Sequence, residues 1–137
     1  MCGCTKGEKN EAIMQSSLRK ILIIDDDNRN TFALKAVLKV KGYDCVSAND
    51  AHVGLRHLAE NSEIGMVLMD MMMPEMDGYE TMRIIRQGSA KEIPLIAVTA
   101  QAMPGDREKC LEAGADGYLS KPIDVDALLA LIRLHLR

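Results

Sequence analysis

Short apolar stretches that stop on a polar residue recur along this chain. Ile21-Leu22-Ile23-Ile24 stops on Asp25-Asp26-Asp27, Ile64-Gly65-Met66-Val67-Leu68-Met69 on Asp70, and Leu95-Ile96-Ala97-Val98 on Thr99. Gly117-Tyr118-Leu119-Ser120 likewise leads into Lys121. Brief runs of this kind, rich in β-branched residues and bounded by turn formers, predict buried strands. They fall at Ile21–Ile24, Met66–Met69 and Pro94–Val98, with a short fifth strand at Tyr118–Leu119 and a more polar second strand, nearer an edge, at Tyr43–Ala48. Helical patterns lie between them. Phe32, Leu34, Val37 and Leu38 predict a helix over Asn30 to Lys41, ended by Gly42. Asp50 caps a helix through Leu58, and Asp77 with Glu80 makes a capping-box pattern opening a helix to about Arg86. Pro104 stands in the first turn of a helix that stops at Gly114, and Asp124 caps a last apolar helix from Ala127 to Leu136.

Strict alternation of strand and helix predicts an α/β protein with a parallel sheet covered on both faces. Right-handed crossovers narrow this to a doubly wound, five-stranded, flavodoxin-like sheet, for which 2-1-3-4-5 is a common order with its ligand crevice between strands one and three. That order places Asp25, Asp26, Asp70, Thr99 and Lys121 on one rim. Residues scattered for solubility alone would not converge so.

Crowded carboxylates repel one another and raise each other's pKa unless something compensates. A divalent ion such as Mg²⁺, which takes oxygen ligands and phosphate oxygens, relieves the repulsion, and Lys121 adds a point charge. In such a site an Asp70 oxygen can attack phosphorus in line, giving an aspartyl phosphate, with Thr99 placed to hydrogen-bond a phosphoryl oxygen. Taken singly, each residue has a plainer role. Asp70 could start a turn, Thr99 could be a strand residue, Lys121 a surface charge and Tyr118 a packing residue; all four plain roles must hold at once to displace the site.

Composition sets the bounds. With 137 residues, 47% apolar and 27% charged, the chain suits one domain with a real core. Residues 1–17 read as a polar, flexible N-terminal tail with no signal-peptide h-region, and residues 18–137 as the domain. No apolar run approaches the roughly 18 residues that span a bilayer, so a cytoplasmic location is expected. A net charge of −3 with interspersed signs gives no basic footprint for direct nucleic-acid binding. Cys2 and Cys4 sit on the tail, Cys45 and Cys110 read as ordinary semi-buried thiols, and no zinc spacing is completed. The methionines Met69, Met71, Met72, Met73 and Met76 read as core and loop packing. His52, His57 and His135 fall on helices, and none reads as a phosphodonor.

Four segments, Ile23-Ile24-Asp25-Asp26-Asp27, Met69-Asp70-Met71-Met72-Met73-Pro74-Glu75-Met76-Asp77-Gly78, Val98-Thr99-Ala100 and Ser120-Lys121-Pro122, together resemble the receiver domain of two-component response regulators, related to the bacterial chemotaxis regulator. The resemblance covers nearly all but the tail. It implies Asp70 as phosphoacceptor, and Asp26 as a direct Mg²⁺ ligand with Asp25 acting through water. Asp70 and the backbone carbonyl of Met72 complete the metal set. Thr99 and Lys121 match the family's hydroxyl and lysine, Tyr118 its aromatic switch, and Lys121-Pro122 is expected to be cis. Asp27 receives no metal role and starts the first helix. Met72 and Gln101 occupy positions that tune phosphoryl lifetime.

The implied activity is a signalling one. A histidine kinase or histidine phosphotransfer protein donates a phosphoryl group, and a downstream protein reads the fourth helix, fifth strand and last helix. The domain catalyses its own modification and slow dephosphorylation rather than turning over substrates. The segments around Val98 and Ala113 are similar to hybrid-kinase receivers, whereas the starting Met and length favour a single-domain regulator. Two alternatives stand beside this reading. One is a haloacid-dehalogenase-type phosphatase using Asp25 with Asp27, although Arg29 stands where that family has Thr or Val. The other is a non-phosphorylated scaffold of receiver fold.

Overall fold

In the strand segments, successive side chains point to opposite faces, and here both faces are apolar. Leu22, Ile24, Val67, Met69, Leu95 and Ala97 belong to one core, Ile21, Ile23, Met66, Leu68, Ile96 and Val98 to another. A sheet with two apolar faces must be covered twice. The computed structural model, which describes residues 20–73, 77–88, 92–100 and 104–136, shows how this is done. The elements are β1 (Lys20–Ile24), α1 (Asn28–Val40), β2 (Asp44–Ala48), α2 (Ala51–Glu60), β3 (Ile64–Asp70), α3 (Gly78–Gln87), β4 (Leu95–Thr99), α4 (Asp106–Ala113), β5 (Gly117–Ser120) and α5 (Val125–His135).

All strand pairs are parallel, in the order β2-β1-β3-β4-β5, which is the expected 2-1-3-4-5. Helices α2, α3 and α4 cover one face through residues such as Leu55, Met82 and Cys110. Helices α1 and α5 cover the other through Leu34, Leu38, Leu128 and Ile132. The central strand β3 is buried along its whole length, while β2, as its polarity suggested, lies at an edge and is half-buried. Helix α2 lies so close to β1 that a Cβ on Gly54 would come within 2.6 Å of Ile24 Cδ1.

Element boundaries differ from the sequence reading where polar chemistry decides them. Helix α1 begins at Asn28, because the Asp27 carboxylate accepts from the N–H groups of Arg29 and Asn30 and satisfies the first turn. Asp50 and Asp124 cap α2 and α5 in the same way, on Val53 and Asp126. At α3 half of the capping box forms: Asp77 accepts from Tyr79 N–H, but the Glu80 carboxylate pairs forward with Arg83. Pro104 is not in the first turn of α4; Gly105, at φ 87°, is the N-cap, and the helix starts at Asp106. The tail residues, Cys2, Cys4, Met76 and Gln101 lie outside the described residues.

The candidate phosphoacceptor site

The parallel register fixes where each chain end arrives. Asp25 follows β1 and Asp70 ends the adjacent β3, beyond the pair Ile24 and Met69. Thr99 ends β4 opposite Ser120, and Lys121 N–H donates to the Thr99 carbonyl at 2.8 Å, so the lysine leaves β5 at the same rim. The Lys121-Pro122 peptide is cis, as the resemblance implied.

Asp25 and Asp70 are only 3% and 4% exposed, so their charges need partners. Lys121 Nζ supplies one to both, lying 3.1 Å from Asp70 Oδ2 and 3.2 Å from Asp25 Oδ2. Backbone supplies more: Met72 N–H donates to Asp70 Oδ1 at 2.9 Å, and Asp27 N–H to Asp25 Oδ1 at 2.9 Å. Burial nevertheless pushes the Asp70 pKa up, against Met72 N–H and Lys121, with Asp25 adding repulsion. For Lys121, burial pulls downward, but the hydrogen bond to Asp70 and the charges of Asp70 and Asp25 outweigh it and hold the ammonium above its ordinary range.

Asp26 is exposed beside them, and carboxylate oxygens of Asp25, Asp26 and Asp70 lie within 4.8 Å of one another. Three acids against one shared ammonium leave the rim negative. Opposite ligands on an octahedral Mg²⁺ stand about 4.2 Å apart at its usual ligand distance of 2.0–2.1 Å. Oxygens gathered this closely, all hard donors, therefore fit a divalent cation bound partly through water.

Asp27 takes no part in that group. Its carboxylate caps α1, which removes the second acid that a haloacid-dehalogenase-type phosphatase would use. Thr99 is buried at the end of β4, and Met72 is half exposed beside Asp70. Tyr118 packs against the core on the α4 side of β5, and its buried hydroxyl has no hydrogen-bond partner among the described residues. His52 and His57 lie on α2 and His135 ends α5; none joins the acidic group.

Sequence reasoning missed one side chain here. Asn30, in the first turn of α1, donates from Nδ2 to Asp25 Oδ2 at 2.7 Å. Its position five residues after Asp25 on a helix start was the available signal.

The geometry agrees with comparison to known proteins. A profile of the response regulator receiver domain matches residues 21–133. The chain belongs to that family. It is 43% identical over 115 residues to the sensor histidine kinase RcsC of Salmonella typhi, covering 84% of this chain and 12% of that protein. It is 38% identical over 120 residues to the transcriptional regulatory protein CpxR of Escherichia coli K12, covering 88% of this chain and 50% of that one. The chain thus spans half or less of these relatives. Among solved structures, a response regulator receiver protein from Pseudomonas putida superposes with TM-score 0.79 at 28% identity, covering 85% of this chain and 97% of that one. A CheY-like receiver domain from Methanospirillum hungatei JF-1 gives 0.78 at 31%, covering 86% and 93%.

Proposed function

We propose that this chain is a phosphoacceptor module of two-component signalling. It takes one phosphoryl group onto Asp70 from the phosphohistidine of a histidine kinase or histidine phosphotransfer protein, with Mg²⁺ bound, and thereby changes its affinity for a downstream protein. The observation that carries this reading is the Lys121 ammonium lying between Asp70 Oδ2 and Asp25 Oδ2 at the ends of adjacent buried strands. An Asp70 oxygen attacks phosphorus in line; the P–N bond breaks and its electron pair stays on the imidazole nitrogen. Such transfers depend on positioning and charge stabilisation more than on covalent chemistry. Lys121 follows the charge on the phosphoryl oxygens, and the Thr99 hydroxyl hydrogen-bonds one of them. Bound Mg²⁺ supplies the remaining positive charge, held by Asp26 directly, Asp25 through water, Asp70 and the Met72 carbonyl.

Residues 18–137 form the receiver domain, with 1–17 outside it. Tyr118 acts as the aromatic switch, and α4, β5 and α5 present the altered surface as a population shift between two states. The module is modified once and loses the group slowly; it does not turn over substrates. Among the described residues no helix is long and apolar enough to cross a membrane, which is consistent with work in the cytoplasm.

Incubation with Mg²⁺ and acetyl phosphate, followed by intact mass measurement and mapping of the adduct, tests the reading. One phosphoryl group on Asp70, abolished by Asp70→Asn or by EDTA, supports it. An adduct on Asp25, or steady phosphate release from many substrates, favours a phosphatase, and no adduct leaves a scaffold.

A further inference from the structure

The Asp25 carboxylate is held at both oxygens. Asp27 N–H occupies Oδ1, and Oδ2 receives both Asn30 Nδ2 at 2.7 Å and Lys121 Nζ at 3.2 Å. An ionised carboxylate only accepts, so the Asn30 amide must present its nitrogen. Lys121 is one ammonium serving two buried acids, at nearly equal distances. Without a second donor on Oδ2, Asp25 would draw that ammonium away from Asp70.

Placement of Asn30 is built in rather than incidental. Asp27 caps α1 through the N–H groups of Arg29 and Asn30, while its own N–H rests on Asp25. The first turn of the helix is thereby registered against the acid it serves. Asn30 also lines the small cavity between Asp25 and Asp70, along with Leu34, Leu68, Val98 and Ile123. A side chain there that makes no hydrogen bond to Asp25 leaves Oδ2 to Lys121 alone.

We infer that Asn30 is a positioning residue of the site: by donating to Asp25 Oδ2 it fixes the metal-side acid and leaves Lys121 available to Asp70. It touches no reacting atom and acts only through Asp25. This rests on the reading of the rim as a Mg²⁺-dependent phosphoacceptor site. Groups that orient a metal ligand typically contribute 10–100-fold to metal affinity or activity. The expected size is toward the lower end, because Lys121 and Asp27 still hold Asp25 when Asn30 is gone.

The test is a double-mutant cycle on the full chain, with Mg²⁺ affinity measured by calorimetry and the phosphorylation rate by intact mass with acetyl phosphate. Asn30→Leu keeps the branched skeleton and removes the donor; Asn30→Ala guards against a packing artefact. Both are expected to weaken Mg²⁺ about 10-fold and to slow phosphorylation at saturating Mg²⁺. In an Asp25→Ala background, where no acceptor remains for the Asn30 amide, neither substitution should change either quantity further. Wild-type affinity in Asn30→Leu and Asn30→Ala, or the same loss in both backgrounds, overturns the inference while the phosphoacceptor reading stands. A wild-type chain that neither binds Mg²⁺ nor accepts phosphate overturns both.

Discussion

Lys121 reaches Asp70 across 51 positions of sequence, Nζ to Oδ2 at 3.1 Å, and the pair is the narrowest charge neutralisation on the rim. The balance is incomplete. Burial still pushes the Asp70 pKa up, which means that ionised Asp70 costs stability in the folded protein relative to the unfolded chain.

That cost has a definite pH profile. A raised carboxylate pKa leaves the fold unpenalised below the unfolded value of about 3.9. The penalty sets in as pH rises above that unfolded value, grows until the folded value is passed, and is constant beyond it. Asp70→Asn retains an acceptor for Met72 N–H and lacks the charge. In the metal-free protein it is expected to raise the melting temperature by a few degrees at pH 7, at about 2–8 °C per kcal/mol. The gain should vanish in acid. Thermal melts of both forms from pH 3 to pH 8 in EDTA check this, and Mg²⁺ should reverse the order by stabilising the wild type more.

Arg86 clamps the opposite end of the sheet. Its guanidinium donates from Nε and Nη2 to the Gly114 carbonyl at 2.9 and 2.5 Å, from Nη1 to the Ile93 carbonyl at 2.6 Å, and pairs with Asp116 at 3.0 Å. Asp116 in turn accepts from Leu95 N–H. One side chain thus ties α3 to the entries of β4 and β5. Gly114 leaves room for it, standing at φ 121° where a Cβ would lie 3.1 Å from Arg86 Cγ. Arg86→Ala strands part-buried carbonyls and should cost about 2–4 kcal/mol in urea denaturation. Arg86→Lys should recover little, because an ammonium cannot reproduce the planar fork. Phosphorylation at Asp70, at the other rim, should be unchanged under native conditions.

The Tyr118 hydroxyl is buried without a partner among the described residues, and burial pushes its pKa up, with Asp106 and Cys110 adding to the shift. A stranded polar group of this kind costs about 1–3 kcal/mol. Tyr118→Phe removes the hydroxyl and keeps the ring against the core. It is expected to stabilise the unphosphorylated protein by about 1 kcal/mol in chemical denaturation; a loss of stability would show that the hydroxyl is satisfied in solution.

Burial pushes the Cys45 thiol up to about 11 on the edge strand β2, with Asp44 opposing and Lys35 assisting ionisation. Cys110 is buried and shifted the same way, chiefly by burial. Since the thiolate is the reacting species, in a Cys2→Ser, Cys4→Ser background neither should label appreciably with iodoacetamide at pH 8. Both should label once urea unfolds the chain, as counted by intact mass.

Strands and site residues were legible because they combine two signals, an apolar run and the polar residue that ends it. That pairing of signals puts Asp25, Asp70, Thr99 and Lys121 on one rim from the sequence alone. Helix starts were harder. Asn28 and Arg29 carry no apolar signal, and α4 offers one buried side chain, Cys110, and no stripe to mark its bounds. Asn30 and Arg86 were missed for a different reason. Each acts through hydrogen bonds to groups set by tertiary placement, and no periodicity records such a bond.

The full burial of β3 has a dynamic consequence. Its amides are hydrogen-bonded into strands on both sides, and its side chains are packed between two helical layers. Such amides exchange with solvent only when the whole domain opens, whereas loops and edges exchange through local fluctuations. A charge added at the tip of β3 therefore meets a floor that does not yield. Slow-exchanging amides of the central strands should keep their protection whatever happens at Asp70, and a change of charge there is expected to alter exchange first in the loops and at the sheet edges.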